Sequence, residues 1–472
     1  MTATILASLE ILYVVVLGGW ILLEKRSPVA TLAWILSLVA LPGVGFFVYW
    51  MLGPRKIRKR RLRRLRAQQA TMKPPARVLE LSPEAALPIS RELVRLGLRT
   101  ANARLSVARR VDLYFSGAET FDAIVAAIEG ALHQVHVVYY IFEPDVTGTR
   151  IRDALVARAR AGVQVRLLLD AVGSARARKK SFLAPLIEAG IEVAFFNPTG
   201  VTQLVGRLFN FRNHRKIVVC DGCVGFTGGV NVTDDENGAV DAKTAWRDTH
   251  MRLEGPCVSW LQLVFLEDWA YATGNSPQND GNFPQQPETE GPLVQIIDSG
   301  PDKEIEAIKA AYFTAINAAQ KRVLVTSAYF VPDEAVLFAL QAAALRGVDV
   351  RVLVPHRGDT RTASAAARSY YDDLLRAGVH VYEYRSRMLH AKTLVVDDAL
   401  AVVGTANFDN RSFRLNFEIT ALVFDTKTTT TLAEAFEEDL HHSRAITASS
   451  RARLKLGARL VEGGARLLSP LL

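Results

Sequence analysis

Two short stretches of this 472-residue chain carry the same five residue types at the same spacing. The first is His214, Lys216, Asp221, Gly228 and Asn231; the second is His390, Lys392, Asp397, Gly404 and Asn407. In each, Lys follows His by two positions, Asp by seven, Gly by 14 and Asn by 17. A lone histidine on a strand is usually structural, but a five-position constellation repeated 176 residues later is not a chance event. Imidazole titrates near ~6.5, so it can attack as a nucleophile and also carry a proton at neutral pH. An ammonium beside it offers fixed positive charge to the equatorial oxygens of a phosphoryl group in transfer. Two such pairs on opposite sides of one phosphorus suit in-line displacement and its reverse. This chemistry asks for no metal and no cofactor. Cys220 and Cys223 form a C-x-x-C without a second pair, and read as small residues flanking a hairpin turn rather than a zinc site.

Residues i and i+2 of a strand share a face, so His214 projects with Lys216 and His390 with Lys392. Asp221 and Asp397 have odd parity and fall at the strand ends, where the expected role is to tie down the turn.

The elements that must hold these residues also repeat. Val135–Phe142 and Arg322–Phe330 read as buried strands, followed by Pro144 and Pro332 and then by Ala-rich helices. Each helix ends in Gly-Val-x-Val-Arg, at Gly162 and Gly347, which opens another apolar strand. Ala189-Gly190-Ile191-Glu192-Val193 and Ala377-Gly378-Val379-His380-Val381 follow. Strand, helix, strand, helix, strand is the grammar of an α/β layer fold. These repeats lie 185 to 188 residues apart and the histidines 176, so the first copy holds about twelve extra residues. The simplest place for them is Asn197–Phe211, as a lid or as a longer loop. Asn275–Pro292 is rich in Pro, Gln, Asn and Gly and reads as a linker.

The amino terminus differs in kind. Ile5 to Leu23 is apolar except for Ser8 and Glu10, and Val29 to Leu52 holds no charge over 24 residues. A span needs ~20 apolar residues, so a two-helix transmembrane hairpin is expected. Pro42-Gly43-Val44-Gly45 marks a kink in the second helix. The formal net charge is +9, and residues 55–66 alone supply nine Lys or Arg. The basicity is therefore one juxtamembrane block, which suits an anionic membrane surface and not a nucleic-acid partner. The positive-inside rule sets that block, and the body after it, on the cytoplasmic side. Three sparse cysteines give no disulfide framework.

The double signature resembles the HKD motif of the phospholipase D superfamily, over roughly residues 110–445. The resemblance implies a duplicated α/β unit whose two sheets share one active site. It places His214, Lys216, Asp221, His390, Lys392 and Asp397 in the catalytic set. One His would form a phosphohistidine: by analogy with the family His214 is the expected nucleophile and His390 the acid and base, with the reverse assignment as the alternative. Lys, Asn231 and Asn407 would bind phosphoryl oxygens. Asp248 and Glu418, which follow the two motifs, would orient the imidazoles. Where the family often has Gly-Ser, this chain has Gly228-Gly229 and Gly404-Thr405, so only Thr405 retains a hydroxyl. Within the superfamily, the tandem spans, the run Gly404–Glu418 and the ending Leu467–Leu472 are similar to bacterial cardiolipin synthases.

That resemblance implies transfer of a phosphatidyl group from one phosphatidylglycerol to another at the bacterial inner membrane. The expected organisation is a hairpin at 1–54, a basic segment and linker at 55–108, and a first half at 109–274. A linker at 275–292, a second half at 293–447 and a basic carboxy-terminal segment at 448–472 complete it. Within it, Arg459 to Leu472 reads equally as a basic amphipathic segment lying on lipid or a packed terminal helix. Rival readings are a membrane-bound phospholipase D hydrolase, a nuclease of the same superfamily and an inactive membrane scaffold.

Overall fold

Buried β-branched runs, each closed by a proline and an aspartate, set the rhythm of the body. The strands Gln134–Tyr139 and Arg322–Ser327 bury nearly every residue. A proline follows the end of each by five residues, and Asp145 and Asp333 then accept the backbone N–H of Gly148 and Val336 as helix N-caps. The helices Val146–Arg160 and Glu334–Leu345 follow. Gly162 and Gly347, at φ of 92° and 90°, turn each chain into the next parallel strand, a conformation that costs glycine little. The computed structural model describes residues 2–23, 28–40, 71, 88–197, 211–277, 280–287 and 289–471.

Among the described residues, the first half builds a seven-stranded sheet and the second a nine-stranded one. The first runs Arg110–Tyr114, His250–Glu254, Val224–Gly228, Ile217–Cys220, Gln134–Tyr139, Gln164–Asp170, Glu192–Phe196. Seven strands of the second, from Leu293–Ser299 to His380–Tyr384, follow the same order. Its two further strands, Leu105–Val107 and Ser443–Ile446, extend the edges. Residues that read as linker thus contribute the helix Pro88–Ala101 and an edge strand to the second half. Each sheet carries its own apolar core, around Phe121, Leu155 and Leu167 in one half and Ile316, Leu340 and Val350 in the other.

The halves are stitched by two matching parallel bridges, Asn213↔Phe417 and Arg247↔Leu389. His214 N–H donates to the Phe417 carbonyl at 2.9 Å, and His390 N–H to the Arg247 carbonyl at 2.7 Å. The His-bearing segments therefore enter their strands late. The first strand begins at Ile217 and the second at Lys392. Arg215, wholly buried, pins the seam: it pairs with Asp268 of its own half and Asp298 of the other, and donates to the Glu418 carbonyl.

Asp221 and Asp397 stand at the strand ends, apart from the cavity that holds the histidines. Both lie just past their strands at φ of 51° and 53°, a left-handed conformation that Asp tolerates better than most residues. The Asp221 carboxylate accepts the N–H groups of Leu132, His133 and Gln134, and Asp397 those of Gln320, Lys321 and Arg322. They anchor the start of the neighbouring strand and do not line the cavity that holds the histidines.

The amino-terminal helices Thr2–Leu23 and Pro28–Ala40 form a unit of their own, with Ile21 and Leu38 packed together. Among the described residues no helix is long and apolar enough to cross a membrane. The turn at 24–27, the rest of the second apolar run and the basic block at 55–66 lie outside the described residues. So does most of the Asn197–Phe211 insertion, whose ends are joined by a 3.0 Å bond from Asn197 Nδ2 to the Phe211 carbonyl.

Replacing Asp221 by Ala leaves three N–H groups without their acceptor. It should cost on the order of 2–4 kcal/mol in chemical denaturation. Turnover of the folded enzyme should be unchanged; a turnover loss without a stability loss would return Asp221 to the catalytic set.

Candidate active site

His214 and His390, from the two halves, open onto one cavity of about 300 Å³ that Asn231 and Asn407 also line. The carboxylates are crossed. His214 Nδ1 lies 3.0 Å from Glu418 Oε2, and His390 Nδ1 lies 2.6 Å from Asp248 Oδ2. The acid that follows each motif therefore serves the histidine of the other motif. The bridges explain this: the residue before each His pairs with the residue before the opposite acid. An ionised carboxylate only accepts, so each Nδ1 carries the proton and each Nε2 keeps its lone pair. Burial pushes both imidazoles down to about 4, so both rest neutral at pH 7.

Lys216 and Lys392 are fully buried behind the histidines. Each Nζ donates to the carbonyl of its own histidine, His214 at 2.9 Å and His390 more closely. Burial, and for Lys216 the nearness of Lys392, hold these ammonium groups below their ordinary range. Burial by itself would raise Asp248 and Glu418, but the lysines and histidines more than offset it and hold both carboxylates ionised. The two lysines thus meet two carboxylates among buried side chains. A phosphodiester would bring one further negative charge, which a single imidazolium balances.

The two ends of the site differ. Thr405 Oγ1 donates to Glu418 Oε2 at 2.5 Å, and Asn416 Nδ2 to its Oε1 at 3.0 Å. In the first half a Cβ on Gly229 would lie 2.0 Å from Asp248 Oδ1, so no side chain fits there. Asp248 instead accepts the Thr249 N–H at 2.6 Å and has Lys392 3.8 Å away. Tyr140 packs edge-on against His214 at 4.8 Å, and Trp246 tilts against His390 at 5.1 Å.

Glu236 escapes the motif reading. It is fully buried, accepts from both the N–H and Nδ2 of Asn231 at 3.0 and 2.9 Å, and lies 3.6 Å from His390 Nδ1. Burial, then Asp248, raises its carboxyl well above the usual range. In the second half the position five after Asn407 is Ser412, whose Oγ accepts the Asn407 N–H at 3.1 Å. The repeated offset is the signal that would have found this pair. It is masked by the run Asp234-Asp235-Glu236, which reads as a solvated acidic turn.

The segment around Glu236 is also longer than its counterpart. Gly228 pairs with His250 and Gly404 with Thr420, two last strands 170 residues apart, whereas the histidines are 176 apart. The first half therefore holds six more residues between Asn231 and Asp248, beyond the insertion at Asn197–Phe211.

Among the described residues, Glu236, Asp248 and His390 form the one group whose donor atoms, within 4.8 Å of one another, could hold a metal ion. Lys392 already supplies positive charge there, and burial favours the protonated form of Glu236, so the group suits a shared proton better than a dication.

If Glu236 is protonated, Glu236→Gln should keep most of the turnover at pH 7, because the amide copies the neutral acid. Glu236→Ala should lose about tenfold or more, the scale for a group that supports a catalytic imidazole. Equal losses in kcat for the two variants would show that an ionised Glu236 is required.

Comparison with known proteins places this geometry in context. A family model described as "Cardiolipin synthase, PLD-like domain" matches residues 124–245 and 312–440. A second, "Phospholipase_D-nuclease N-terminal", matches residues 11–54. A cardiolipin synthase of Geobacillus sp. (strain WCH70) is 41% identical over 467 residues, 97% of this chain and 92% of the relative. One from Alkalihalophilus pseudofirmus is 40% identical over 98% of this chain and 92% of its own length. Among solved structures, a phosphatidylserine synthase of Haemophilus influenzae aligns at TM-score 0.61 with 15% identity. It covers 81% of this chain and 100% of its own, a likeness of fold.

Proposed function

Because the chain belongs to the cardiolipin synthase family with its phospholipase D-like domain, we propose that it condenses two phosphatidylglycerol molecules into cardiolipin and glycerol. It is a phosphatidyltransferase. The observation that carries the reading is the pair of crossed imidazole–carboxylate contacts opening on one cavity. His214 Nε2 attacks phosphorus and the bond to the glycerol oxygen breaks. His390 gives that oxygen its proton, and the phosphatidyl group rests on His214. The hydroxyl of a second phosphatidylglycerol then gives its proton to His390, attacks phosphorus and releases His214. Lys216 and Lys392, with Asn231 and Asn407, offset charge on the phosphoryl oxygens.

The assignment of the two histidines rests on their surroundings. His390 lies beside two carboxyls, Asp248 and Glu236, which together hold a proton close to it. His214 has one carboxylate, fixed on both oxygens by Thr405 and Asn416, which suits a nucleophile held in one tautomer. The substrate's charge favours the imidazolium that His390 needs.

Residues 1–54 serve, on this reading, as a transmembrane hairpin. The uncharged run Val29 to Leu52 and the nine basic residues of 55–66 support it, and set the body on the cytoplasmic face of a bacterial membrane. The phospholipase D hydrolase reading differs only in the acceptor.

Purified full-length enzyme given phosphatidylglycerol should yield cardiolipin and glycerol in equal amounts; phosphatidic acid as the main product would favour the hydrolase. His214→Ala and His390→Ala should each lower turnover by at least about 10³-fold. With a phosphatidyl p-nitrophenyl ester, whose leaving group needs no acid, His390→Ala should keep a burst of p-nitrophenol and His214→Ala should lose it. The opposite pattern would exchange the two roles.

A further inference from the structure

The helix Leu456–Arg466 turns an apolar edge to solvent. Leu456, Leu460 and Leu467 are 73, 67 and 82% exposed, with Val461 beside them. At 100° per residue the three leucines fall within a narrow stripe. The opposite side is not free. Glu462 and Ala465 are buried, and the helix packs along Arg361–Arg368. Arg451 pairs with both Glu462 and Asp372, and the Arg466 guanidinium lies 4.4 Å over the Tyr370 ring while pairing with Asp373. The helix is thus clamped in place with its leucines outward.

Charge flanks the stripe. Arg453, Lys455 and Arg459 are exposed, whereas the one acid of 447–471, Glu462, is buried and paired. The location matters as much. Thr360 and Ala363, at the start of the helix against which this one packs, line the active-site cavity. The turn after the helix, Ser469–Leu471, meets Asn410–Arg414, whose Arg411 and Ser412 line it too. Tyr370 Oη fixes that turn through Ser469 Oγ at 2.9 Å. The helix and the turn after it therefore pack on two elements that line the cavity.

We propose that this helix seats the cavity on an anionic phospholipid bilayer, its leucines in the acyl boundary and its cations among the phosphates. The inference rests on the lipid substrate argued above. A second copy of the chain is the other candidate occupant, but face-to-face copies would oppose rows of like charge, which a bilayer of anionic lipid instead neutralises.

The test uses the full chain reconstituted into phosphatidylcholine vesicles. Substituting Leu456, Leu460 and Leu467 together by Gln should lower turnover of long-chain phosphatidylglycerol in the same bilayer by about tenfold or more. Turnover of monomeric dihexanoyl phosphatidylglycerol added from solution should be unchanged. An unchanged long-chain rate, or an equal fall on both substrates, would overturn the proposal. If the unaltered enzyme fails on both substrates, the function reading fails instead. Docking can then still be read from Leu460→Cys, carrying an environment-sensitive fluorophore with Cys223→Ser. Its emission should shift to the blue when phosphatidylglycerol is included in the vesicles. A shift that follows the protein-to-lipid ratio and not the phosphatidylglycerol content marks self-association and overturns it.

Discussion

Keeping two ammonium groups out of water is the constraint on which this molecule turns. Lys216 and Lys392 are 0% and 1% exposed, and a buried charge without a partner is costly. The counter-charges are Asp248 and Glu418, and they reach the opposite half's histidine, not their own. Arg215 repeats the arrangement, pairing with Asp268 of its own half and Asp298 of the other. Neither half alone can satisfy its own polar groups, so the duplicated sheets must close on one another before the site exists. Electrostatic balance and catalytic geometry are one and the same requirement here.

The duplication is near-symmetric in backbone and asymmetric in chemistry. The same strand order and the same bridges bring two imidazoles to one cavity. The supports then diverge: a hydroxyl from Thr405 where Gly229 leaves no room, and a carboxyl from Glu236 where the other half has Ser412. A reaction in which one group attacks and the other moves protons needs two unlike imidazoles. Small substitutions around a shared frame supply that difference without altering the frame.

Much of this is written in local pattern, and what is not has physical causes. The spacing from His to Asn and the repeated Gly-Val-x-Val-Arg are local, so the α/β duplication and the two His-Lys-Asn sets can be read along the chain. The crossing of Asp248 and Glu418 cannot. It depends on how two sheets meet, and order along the chain suggests nothing about it. Asp221 misleads in another way. Its place in the motif groups it with the catalytic residues, while its odd parity and the turn at Gly222 put it at the wrong end of the strand. Glu236 hides among acids that look solvated. The edge strand Leu105–Val107 is three residues long, too short to show a period, and lies beyond a stretch whose prolines suggest a linker.

A hydrogen bond between Asn197 and Phe211 draws the two ends of the first half's insertion together. That contact ties the end of the strand Glu192–Phe196 to the approach to His214. Loop-closure entropy grows only slowly with length, so a change in the number of residues between these two ends costs little closure entropy. Chain length can therefore vary at this neck while the reacting groups keep their places.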